Sequence, residues 1–109
     1  MELYDVEEFW KFRMRVGLVV RAERVPRTRK LIKLTVDFGD ERRTVVTGIA
    51  DQYEPSDLEG RKFVFVTNLK PKVVAGIESQ AMLLVAETED GKVYLLPVPD
   101  EVPVGAKVW

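Results

Sequence analysis

Few side chains in this 109-residue chain could do covalent chemistry, and the missing ones narrow the choice further. There is no histidine and no cysteine, which removes the usual general base at neutral pH, the thiolate nucleophile and the commonest zinc ligands together. Ser56 and Ser79 are the only serines, and activating either would need a lysine base that no spacing marks. The carboxylate pairs Glu7/Glu8 and Glu89/Asp90 are adjacent in sequence and read as solvated surface and turn residues. No GxGxxG or Walker-type loop is present. These residues point away from an enzyme and toward a binding module, with no cofactor or metal expected.

What chemistry remains is concentrated in residues 68–82, NLKPKVVAGIESQAM, between the apolar runs FVFV and LLVA. Lys70 and Lys72 flank Pro71, Asn68 supplies an amide and Ser79 a hydroxyl. Such groups on a rigid loop suit a folded or single-stranded RNA, whose phosphates take cations and whose bases and 2′-hydroxyls take donors and acceptors. Each also has a plainer reading. Asn68 can bond its own backbone in a turn, Lys70 and Lys72 can be surface charges, and Met82 can be core. Phe63 and Phe65 share a strand face and read as core rather than as stacking platforms.

The net charge of −1 hides an uneven layout. Residues 1–9 carry four acids and no base, whereas residues 21–43 carry eight bases against four acids. A local positive face on a nearly neutral protein suggests a polyanion docked at one place, or equally a surface of internal ion pairs. Hydrophobic residues at 46% and charged residues at 32% describe one soluble globular domain over residues 1–109. No apolar run is long enough to span a bilayer, so no membrane partner is expected. The acidic N-terminus does not resemble a secretory signal, and the cytoplasm is the default location.

Holding the loop requires a scaffold, and the periodicity predicts one rich in β-structure. Asp5, with Glu8 three residues on, can cap a short helix whose apolar side is Phe9, Trp10 and Phe12. Period-two alternation then predicts strands from Phe12 to Arg21, from Ile32 to Phe38 and from Arg42 to Ile49, with a turn at Gly39-Asp40. Gly17 in mid-strand suggests a bulge or tight bend. Pro55 and Gly60 bracket one or two helical turns. Strands follow at Lys62–Thr67 and Met82–Thr88, then a hairpin at Asp90-Gly91 leading to Val93–Leu96, and the proline-rich tail ends in a short extended run. Three meander strands, a short helix and two more strands is the order of an all-β OB-fold, a five-stranded Greek-key barrel, here with a C-terminal β extension. SH3-like barrels and small sandwiches fit the pattern as well.

A set of motifs in fixed order adds to this: RVG (15–17), AERVP (22–26), KLIKLTVDFG (30–39), RTVVTGIA (43–50), YEPSDLEGR (53–61), NLKP (68–71), GIESQAMLLVA (76–86) and VPVG (102–105). Together they resemble the tRNA-binding domain found at the C-terminus of methionyl-tRNA synthetases and as free-standing structure-specific tRNA-binding proteins. The resemblance implies an OB-fold homodimer that binds tRNA by shape and assists an aminoacyl-tRNA synthetase, without aminoacylating. It implies tRNA-facing positions at Lys30, Lys33, Arg43, Asn68, Lys70, Lys72, Ser79 and Met82, and a dimer contact through the N-terminal helix and C-terminal extension. Ala81 stands where the family usually has glycine, and bases common near Val73 and Ala75 are absent, which predicts a less cationic loop. Related domains include a bacterial secretion chaperone, so the alternative implied is a chaperone-like dimer binding unfolded polypeptides.

Overall fold

The computed structural model describes residues 1–109 and is organised around one long strand. β1 (Met14–Arg24) is antiparallel to β4 (Lys62–Val66) on one side and, on the other, to β2 (Ile32–Asp37) and β10 (Lys107–Val108) in succession. β2 alternates cleanly, with Ile32, Leu34 and Val36 buried and Lys33, Thr35 and Asp37 turned outward. β3 (Arg42–Thr47) returns beside β2, so the first three strands form the expected meander. Phe38, Phe63 and Phe65 fill the interior with Leu34, Val45 and Leu58.

The sheet runs β3-β2-β1-β4-β7, where β7 is Met82–Leu83. Its two ends are brought together by the residues just before β7. The Gln80 amide donates to Thr44 O (2.8 Å), the Thr44 amide donates to Gln80 Oε1 (2.9 Å), and the Val46 amide donates to Ser79 Oγ (3.0 Å). These bonds satisfy the outer edge of β3 and nearly close a five-stranded antiparallel barrel, the OB-like architecture expected.

Several local expectations change. Gly17 makes no bulge; the register slips between Val19 and Arg21 instead. Gly17 is bare because a Cβ there would lie 2.5 Å from Val36 Cγ1 and 2.8 Å from Phe38 Cε1. The first helix is α1 (Val6–Phe9), and the Asp5 side chain caps nothing. At Pro55 the one or two helical turns expected are one, a 3-10 turn over Pro55–Asp57 closed by reciprocal Glu54 and Asp57 side-chain bonds. The strand expected over Met82–Thr88 is split: β7 belongs to the barrel, whereas β8 (Val85–Glu87) pairs with β9 (Val93–Leu95) in a separate hairpin. No helix is long and apolar enough to cross a membrane.

Candidate nucleic-acid interface

The stretch 68–82 is not an open loop. β5 (Lys72–Val74) and β6 (Ile77–Ser79) pair in register as a hairpin, Lys72 opposite Ser79 and Val74 opposite Ile77. Its two-residue turn has positive φ at both positions, Ala75 (49°) and Gly76 (77°), the geometry whose twist matches paired strands. Strand alternation then places Lys72 and Val74 on one side and Val73, 67% exposed, on the other.

Three of the predicted residues hold this hairpin in place. Asn68 donates through Nδ2 to Lys11 O and accepts the Arg13 amide on Oδ1, both at 2.7 Å, tying the start of the hairpin segment to the approach of β1. Arg43 grips Glu41 with two nitrogens (2.8 and 3.1 Å) and donates through Nη1 to Thr67 O and to Gln80 O (3.1 Å). It therefore bridges both ends of the segment, with its guanidinium above the Phe38 ring. Ser79 Oγ, besides accepting from Val46, donates to Ala81 O (3.2 Å).

Seated this way, the hairpin, β3 and Leu31 just before β2 border a groove of about 340 Å³. Lys70, Lys72, Ser79 and Met82 line it, so four of the eight predicted residues converge there. Lys33 sits beside it on the outer face of β2, opposite the groove residue Val46. Lys30 precedes the groove residue Leu31 and is exposed. Arg43 and Asn68 lie outside its lining. Composition and alternation did not point to the apolar walls: Leu31, Val46, Leu69 and Val74, with Gly48. The signal was present in the doublets Leu31-Ile32 and Val45-Val46, which put an apolar residue on each face of a strand where only one face meets the core.

The electrostatics separate two kinds of cation. Arg21, Arg24 and Arg43 are paired with Glu23, Glu54 and Glu41, so part of the excess in residues 21–43 is neutralised internally. Lys30, Lys33, Lys70 and Lys72 form no ion pair, and no carboxylate lines the groove. The shifted carboxyls lie elsewhere. Bonding to the Arg15 guanidinium holds Asp40 below its ordinary value, and Arg43 does the same for Glu41.

Residues 14–107 match the family model described as "Putative tRNA binding domain". The chain belongs to this tRNA-binding domain family. Among solved structures, the MetRS related protein from Pyrococcus horikoshii is 72% identical, each chain covering 100% of the other, with a TM-score of 0.99. The chaperone CsaA from Bacillus anthracis is 35% identical over 99% of this chain and 100% of that one, with a TM-score of 0.88. The methionine–tRNA ligase of Methanocaldococcus jannaschii is 45% identical over 99% of this chain, which spans only 17% of that enzyme. The tRNA-binding family member described above thus corresponds to one portion of a much longer ligase.

Proposed function

We propose that this chain is a tRNA-binding accessory that recognises tRNA by shape and is not itself catalytic. The observation that carries the reading is the groove between β2–β3 and the β5–β6 hairpin, with its unpaired lysines and no acid. In this reading Lys30, Lys33, Lys70 and Lys72 meet phosphates and Met82 meets the ligand. Arg43, Asn68 and Ser79 act on tRNA by fixing the hairpin that presents them. In this reading residues 1–109 work as one unit in the cytoplasm and assist an aminoacyl-tRNA synthetase. Filter binding of unfractionated tRNA across a salt series tests this. Contacts to several phosphates make affinity fall steeply with salt, and no binding at low salt sinks the proposal.

The accessory acts as a homodimer in this reading. Phe9, Trp10, Phe12 and Trp109 line a second groove of about 400 Å³, and each is about half exposed or more, from 47% to 76%. Trp10 and Trp109 already meet edge to face with centroids 6.3 Å apart. Four aromatic side chains open to solvent at one place are what a self-complementary contact covers. Light scattering that finds only a monomer contradicts this part.

The likeness to CsaA supports a second reading, a chaperone-like dimer that takes unfolded polypeptides. Suppression of aggregation of a denatured client, not competed by tRNA, would favour it.

A further inference from the structure

The tRNA-binding reading leaves open what the apolar interior of the groove is for, since phosphates need only cations. Leu31, Val46 and Val74 form its walls, and Met82 and Leu69 stand at it 47% and 38% exposed. At about 340 Å³ it falls at the small end of the roughly 300–1,000 Å³ of clefts that hold compact ligands. We infer that the groove takes the face of one unstacked nucleobase of the bound RNA, with Lys70 and Lys72 on the phosphates around it, and does so without reading the base's edge. This rests on the tRNA-binding reading and specifies it.

Three observations point to this occupant. First, the chemistry is that of a nucleotide: a flat apolar body bearing negative charge at its rim, against an apolar interior with two ammoniums and no carboxylate. A base within a duplex is stacked on both faces and cannot enter, so the target is a loop or a single-stranded end. Second, an extended peptide cannot add itself to β3 here. The Thr44 and Val46 amides on that edge are already taken by Gln80 Oε1 and Ser79 Oγ. Third, the one hydroxyl in the lining is committed at both ends, accepting from Val46 and donating to Ala81 O. The remaining lining side chains are aliphatic, thioether or ammonium. Contact through the face of the ring, which every base possesses, makes recognition tolerant of sequence.

Gly48 provides the means to test it. It lines the groove, its φ is not positive, and a Cβ built there meets nothing within 4 Å. Gly48→Leu therefore adds an aliphatic side chain at the groove lining without a steric clash, leaving both lysines in place. The experiment records the Met82 methyl resonance of methyl-labelled protein during titration with an adenylate tetranucleotide, with the same chain lacking its internal bases, and with tRNA. The adenylate and tRNA should move the Met82 methyl upfield, as a methyl lying over a ring face moves, and the abasic chain should not. Gly48→Leu should abolish the shift and, by losing roughly 50 Å² of apolar contact, weaken tRNA binding about five- to tenfold, with the salt slope unchanged. An unmoved Met82 methyl, or undiminished tRNA affinity in Gly48→Leu, overturns the inference while the wild type still binds tRNA. Loss of tRNA binding by the wild type itself would remove both readings. A Met82 shift with reduced, carboxymethylated α-lactalbumin but not with RNA would assign the groove to polypeptide and overturn the inference as well.

Discussion

Arg43→Lys separates a cation that touches tRNA from one that builds the site. Lysine keeps the charge but not the planar fork. In the wild type, Nη1 alone serves two part-buried carbonyls, Thr67 O and Gln80 O, at the two ends of the hairpin segment. A single ammonium at the end of a flexible stem recovers one of them. Taking about 1.5 kcal/mol for a hydrogen bond from a charged donor, the substitution costs about 1.5 kcal/mol, with the solvent-screened Glu41 pair left out of the figure. In a chain of this size that lowers Tm by roughly 6 °C. Thermal unfolding at fixed protein concentration and filter binding over a salt series are run on the same preparation. The expected result is lower stability with the slope of log affinity against log salt unchanged, because no phosphate contact is lost. Lys70→Gln combined with Lys72→Gln should do the reverse, leaving Tm in place and reducing the slope by about 2. An Arg43→Lys protein as stable as the wild type, with its slope reduced by about 1, would refute the assignment of Arg43 to construction.

Other perturbations follow from the same geometry. Gly17→Ala forces a methyl against Val36, Phe38 and Phe65 and should cost about 1–3 kcal/mol in urea unfolding; a neutral result would mean the β1–β2 face is looser than described. Ala75 sits at φ 49°, so Ala75→Gly should stabilise the protein by up to about 1 kcal/mol, and a Tm that falls would contradict the turn geometry. Asp40 and Glu41 are held below their ordinary values by Arg15 and Arg43. The stability they contribute is present above the unfolded-state values and is lost as pH falls through the lowered folded-state values. Stability should therefore decline below about pH 4, and Arg15→Met should flatten that decline, read by denaturant unfolding at a series of acidic pH values.

Alternation carried most of the barrel because β2 buries every second residue and β3 pairs with it residue for residue. It failed where the competing cause was not periodic. Gly17 is set by the Val36 side chain and the Phe38 and Phe65 rings, all remote from it in sequence, and the division of β7 from β8 is a change of pairing partner that a single apolar run does not reveal. Period two was also unable to find β5 and β6. Each is three residues long, and the hairpin is anchored by Ser79, Gln80 and Arg43 bonds that join residues more than 30 apart in sequence.

In the proposed reading, seven of the eight predicted site residues, all but Met82, divide into two functions, and the division has a physical reason. A lysine rim must stay free of partners to exchange counterions for phosphates, and Lys30, Lys33, Lys70 and Lys72 make no ion pair. A cation held only by a mobile loop would have to be ordered on binding, at a cost in affinity. Asn68, Arg43 and Ser79 meet that cost during folding, by fixing the hairpin with donors and acceptors that then have little left for a ligand. Val73 shows the same logic from the other side. It lies on the hairpin face away from Lys72 and Val74 and does not line the groove, so a base at that position would add charge near the RNA without adding a contact inside the groove. The missing cations near the turn should therefore weaken long-range attraction and its salt dependence, while leaving the contact proposed at Met82 intact.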